Sequence, residues 1–168
     1  MNLFPWFLFA HVLGAIIAFG PTFSSPIIGR MGAQERAHGN FAMRVSHQLA
    51  RVQILPLAIV QGFTGLGLII TGQIGWRITA EKELVINVTG LTWLLVAIVL
   101  YLIAIGYAIF VQTPLANRII AMTTPPAGPP AGGPPPELMA MITRIKRGGM
   151  LLIALVVSIV FLMVTKPF

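Results

Sequence analysis

Four stretches of this chain contain no Asp, Glu, Lys or Arg: Met1 to Gly29, Val52 to Trp76, Leu84 to Asn117 and Gly148 to Thr165. In hydrocarbon a backbone must satisfy its own polar groups, which a helix does. About 20 apolar residues, rising roughly 1.5 Å each, cross a core of about 30 Å. Three of the runs are comfortably long and the last is of minimal spanning length. None shows the alternation over about ten residues that marks a barrel strand. The fold class expected is therefore an all-α membrane protein. Its four transmembrane helices form an antiparallel bundle, with spans near 3–28, 52–75, 86–112 and 148–165 in one domain covering 1–168. Composition agrees, since 57% of the 168 residues are hydrophobic and 9% charged, against about 25% charged in soluble domains. That excludes a soluble enzyme. The absence of cysteine excludes disulfides, thiolate metal sites and covalent c-type haem attachment.

Topology accounts for the net charge of +7 without a nucleic-acid partner. Arg30, Arg36, Arg44, Arg51, Arg118, Arg144, Lys146 and Arg147 fall on one side, and Arg77, Lys82 and Lys166 on the other. Eight against three places both termini outside in a multi-pass membrane protein. The same orientation brings Trp6, Trp76 and Trp93 to one interface. The first run lacks a basic n-region and exceeds the roughly 7–15 apolar residues of a signal peptide, so it is read as a retained span. Pro21 and Pro26 each remove a backbone donor and crowd the preceding turn, which predicts a kink, unwinding or stop near Gly20. Asn40 is placed to cap a helix starting at Phe41. The tract 123–136, TTPPAGPPAGGPPP, predicts an extended or mobile linker on the basic side.

No carboxylate or basic side chain lies deeper than the interfaces, which argues against a proton relay on buried acids, metal-assisted hydrolysis and carboxylate acid/base pairs. What remains is His11, about eight residues into the first span and about 12 Å below the surface. A hydrocarbon setting favours an uncharged imidazole, the form that ligates a haem iron or a chlorophyll magnesium. Gly14, Ala15 and Ala18 lie on or beside its face. Such small residues admit a flat macrocycle, and equally another helix. His11 is thus a candidate cofactor and metal ligand, a partner in a structural hydrogen bond to a neighbouring helix, or a group that handles substrate or protons. Gln61, near midplane, and Tyr101 either complete a polar pocket around it or bond between helices. Arg44, His47, Gln48 and Arg51 share a helix face that either clamps an anion or propionate or reaches for lipid headgroups. His38 and His47 lie near the basic side, so two-histidine ligation of one ring calls for an awkward geometry or a second chain.

The segments FLFAHVLGAIIAFG, HQLARVQILPLAIVQGFTGLGLIITG and VTKPF resemble a family of bacterial four-span membrane proteins classed only as a domain of unknown function. A wider similarity is to the four-span membrane protoporphyrinogen oxidases. It rests on His11 early in the first span, Arg51 with Pro56 at the second, and the closing Lys166, Pro167 and Phe168. That resemblance implies haem binding through His11. The oxidases also use a lysine in the third helix, whereas Val88 to Gln112 has none, so the implication reaches tetrapyrrole binding and stops short of oxidase activity. The copper-resistance membrane proteins are similar more distantly, without the Met/His clusters that soft copper ligation needs here. Two expectations result. One is a b-type haem or other tetrapyrrole held by His11 for redox or porphyrin chemistry, oxidoreductase-like if enzymatic. The other is a non-catalytic accessory subunit of a larger membrane assembly, its partners being the lipid bilayer and either copies of itself or other subunits.

Overall fold

In a computed structural model, residues 3–35, 38–71, 76–78, 84–86, 92–124 and 135–167 are described. Arg36, Lys82 and most of the proline linker, 125–134, lie outside them. Four long helices carry the fold: α1 (Phe4–Gln34), α2 (Gly39–Thr71), α3 (Thr92–Thr123) and α4 (Pro136–Thr165). Each is long and apolar enough to cross a membrane. Between α2 and α3 a short antiparallel ribbon pairs β1 (Trp76–Ile78) with β2 (Leu84–Ile86), Arg77 facing Val85. Ile86, expected to open the third span, thus stands in a strand.

At roughly 1.5 Å per residue the helices run about 45–50 Å, well beyond a hydrocarbon core of about 30 Å. The excess lies at the basic end. There Gly32 packs on Gly39 and Ala42, and Ala116, Ile119 and Leu138 are buried. Asn40 does not cap a helix beginning at Phe41, because the helix already starts at Gly39 without a side-chain cap. Its amide instead reaches across to α3, donating to Thr123 Oγ1 at 2.7 Å and to Ile120 O at 3.3 Å.

Of the kink, unwinding or stop expected near Gly20, neither the unwinding nor the stop occurs, and α1 continues through Pro21 and Pro26 to Gln34. The reason is visible in the hydrogen bonds. Pro21 has no N–H for the carbonyl four residues back, Ile17 O, and Gln53 Nε2 of α2 supplies the donor at 3.0 Å. Neighbouring side chains that satisfy freed backbone are the usual means of tolerating proline in membrane helices. The other two interior prolines are met differently. A π turn, Ala50–Ile54, precedes Pro56, and a second, Ala108–Gln112, precedes Pro114. One extra residue per turn relieves the clash between the ring and the carbonyl behind it.

Contacts between α1 and α2 run in reverse order along the chain, Phe7 against Gly67, His11 against Gly65, Gly14 against Gln61 and Gly32 against Ala42. Those between α3 and α4 do the same, from the cluster of Trp93, Leu94, Ala97 and Leu162 to Gly148 beside Tyr107 and Gln112. Trp93 is only 5% exposed, within this cluster, and Lys166 Nζ lies 5.5 Å over its ring. The outward surface carries Phe9, Ile16, Ile70, Phe110 and Val164, as a lipid-facing surface does.

Candidate functional site

His11 sits at the α1–α2 seam, where small residues bring the two backbones together. A Cβ on Gly65 would stand 3.2 Å from His11 Cε1, and one on Gly14 would stand 2.7 Å from Gln61 Oε1. Glycine at both positions is what lets the imidazole and the amide fit between the helices. Ala18, one turn on, is fully buried.

A short circuit of hydrogen bonds closes around this contact. His11 Nδ1 lies 3.0 Å from Thr64 Oγ1. The Thr64 hydroxyl donates to Gln61 O at 3.1 Å, and Gln61 Nε2 donates back across the seam to His11 O at 2.7 Å. Gln61 is the polar side chain buried most deeply among the described residues, at 6% exposure. Its Oε1 has no hydrogen bond to any described residue.

The structure therefore gathers His11, Gly14 and Gln61 on one seam, with Ala18 buried one turn further along α1. Tyr101 stands on another face of α2, its ring against Gly62 and its hydroxyl donating to Ala58 O at 2.7 Å. Arg44 and Arg51 are exposed and form no ion pair with a described residue. Arg51 precedes Thr64 by thirteen residues, which puts it roughly 20 Å along α2 from the imidazole. Thr64 is the partner that the reading of the sequence missed. Its signal was there: Gln61-x-x-Thr64-Gly65 lies near the end of α2 at a depth matching His11 near the start of α1. Among the described residues no three His, Cys, Asp or Glu side chains cluster as a metal site would.

A second polar contact joins α3 to α4. Gln112 Nε2 donates to Ile145 O at 3.0 Å, and Gly148 makes room for the Tyr107 hydroxyl and for Gln112 Oε1. No curated protein and no solved structure matches the chain. Residues 6–167, nearly its whole length, match the family described as predicted integral membrane protein (DUF2269), and the chain belongs to that family.

Proposed function

We propose that this membrane protein binds a tetrapyrrole, a b-type haem, through Nε2 of His11. The observation that carries the reading is the 3.0 Å contact between His11 Nδ1 and Thr64 Oγ1. A threonine hydroxyl has one hydrogen, and Gln61 O takes it. The imidazole is then the donor in the Nδ1 contact, which leaves Nε2 with its lone pair. Neutral imidazole with Nδ1–H held by an oxygen is the arrangement that orients a histidine for a metal.

Gly14 is taken up by contact with Gln61 of α2 and Ala18 is fully buried, so a macrocycle would approach from outside the α1–α2 pair. His38 and His47 both lie toward the basic end, and a second axial histidine would come from another copy of the chain. A haem there would supply one-electron redox chemistry. The residues of this chain hold the ring nitrogen, fix its tautomer and keep bulk water away. On the same reading the basic ends face the cytoplasm, both termini lie outside, and the membrane is the inner membrane of a bacterium.

The test is an absorption spectrum of protein purified from cells supplied with haem precursors. A Soret band is expected in the wild type. It should vanish in His11→Ala and persist with altered position or potential in Thr64→Val. No Soret band, or one unchanged in His11→Ala, refutes the assignment. A second reading is favoured by the packing of Gly14 and Ala18, in which the His11 circuit is a helix lock and the protein an accessory subunit of a larger assembly. Native mass analysis after gentle extraction separates the two, since co-isolated subunits without haem support the second.

A further inference from the structure

The basic end of α4 presents a feature that none of the His11 chemistry uses. A groove of about 650 Å³ is lined by Thr143, Arg144, Arg147, Gly148 and Leu151 together with Tyr107 of α3. We propose that this groove binds an anionic glycerophospholipid, its phosphate on Arg144 and Arg147 and its acyl chain leaving along Leu151. The size falls within the roughly 300–1,000 Å³ of ligand clefts.

Charge is the first argument. Arg144 and Arg147, three residues apart on one helix face, are both exposed, and neither makes an ion pair with a described residue. The ion pair found among the described residues is His38 with Glu35, at 3.0 Å and elsewhere at the basic end. Guanidinium forks match phosphate oxygens in pairs, and two of them converge on this groove. The Tyr107 hydroxyl, also on the groove wall, has no hydrogen bond within the described structure and supplies a neutral donor. Gly148 matters for its close approach, because a Cβ there would stand 2.5 Å from that hydroxyl.

Depth is the second argument, and it selects a lipid over a soluble anion. Arg147 is the last charged residue before the apolar run that begins at Gly148. The groove thus straddles the boundary, with its guanidinium groups at headgroup level and Leu151, 45% exposed, on the hydrocarbon side. An anion that brings its own apolar tail covers both halves. Basic pockets between transmembrane helices at the cytoplasmic side bind lipid headgroups in this way.

The experiment is native mass spectrometry of the purified full chain titrated with phosphatidylglycerol or phosphatidylcholine in mixed micelles. One bound phosphatidylglycerol is expected, held at least about tenfold more tightly than phosphatidylcholine. The double substitution Arg144→Gln, Arg147→Gln should weaken phosphatidylglycerol by roughly tenfold or more. Arg118→Gln with Lys146→Gln removes the same charge away from the groove lining and should change it less than about twofold. Tyr107→Phe, which keeps the ring and its packing, should weaken binding by a smaller factor. Equal losses in the two charge pairs, no preference between the lipids, or displacement by inorganic phosphate at millimolar concentration would each overturn the proposal. The result does not depend on whether His11 carries a haem.

Discussion

The contact between His11 and Thr64 can be measured separately from everything else at the seam. Thr64→Val keeps the shape of the side chain and removes the hydroxyl, and His11→Phe keeps a planar ring and removes Nδ1. Each single change also disturbs other contacts: Thr64→Val loses the bond to Gln61 O at 3.1 Å, and His11→Phe alters packing on Gly65. Those losses recur in the double variant and cancel in a double-mutant cycle. What survives is the coupling across the 3.0 Å contact. Interhelical hydrogen bonds measured this way average about 0.6 kcal/mol and reach about 1.7 kcal/mol. The part-buried position and the uncharged partners place the His11–Thr64 term inside that range, a roughly three- to twentyfold change in the unfolding constant. The assay is equilibrium unfolding in mixed micelles by titration with a denaturing detergent, followed by circular dichroism. Independent sites add to within about 0.3–0.5 kcal/mol. A coupling below about 0.3 kcal/mol would show that the hydroxyl does not hold the imidazole, and the tautomer argument would fall with it.

Other expectations rest on separate contacts. Gln53→Leu should cost about 1 kcal/mol in the wild type, because it deprives Ile17 O of its donor, and close to nothing in a Pro21→Ala background, where the backbone N–H returns. Equal costs in the two backgrounds, read by the same unfolding assay, would disprove the compensation. Gly14→Ala should destabilise by about 1–3 kcal/mol through displacement of Gln61, whereas Gly20→Ala, with nothing within 4 Å of the new Cβ, should be neutral or slightly stabilising. Comparable melting temperatures for the two would refute the close-approach account. Lys166 has φ of 44° and stacks over Trp93. Lys166→Ala should lose about 0.5–1 kcal/mol of cation–π attraction while keeping the backbone strain, and Lys166→Gly should recover part of that loss through glycine's tolerance of positive φ.

The helical character and the number of spans were legible because charge-free runs of such length leave a membrane chain few alternatives. The place of His11 near the start of α1 was legible for the same reason, since the charge-free run sets where that helix begins. Rotation was not legible. Gln61 and Tyr101 lie on membrane-spanning runs with apolar residues on every side, so periodicity gave no hint that one faces α1 and the other reaches Ala58 from α3. The stop or unwinding expected at Pro21 failed for a physical reason. The rule that proline ends a helix assumes that the freed carbonyl has no other donor, and Gln53, thirty-six residues away from Ile17, provides one. Asn40 misled similarly, because capping is a local expectation and its amide found acceptors on α3 instead.

The two hairpins solve one problem in parallel. Each contains a long helix with a π turn, Ala50–Ile54 or Ala108–Gln112, followed two residues later by Pro56 or Pro114. Each also uses a glutamine from that turn, Gln53 or Gln112, to donate to a carbonyl on its partner helix, Ile17 O or Ile145 O. These irregular turns share the basic half of the chain with Pro21 and Pro26, where backbone bonds are missing and side chains from neighbouring helices brace the fold. The opposite half is regular α-helix packed through Gly14, Gly65 and the Trp93 cluster. The proposed ligand role asks for a ring nitrogen held in one orientation, and His11 lies in the regular half. The groove lined by Arg144 and Arg147 lies in the half that holds the π turns. The division of the bundle into an end braced by side chains and an end of regular helix follows from where the prolines fall.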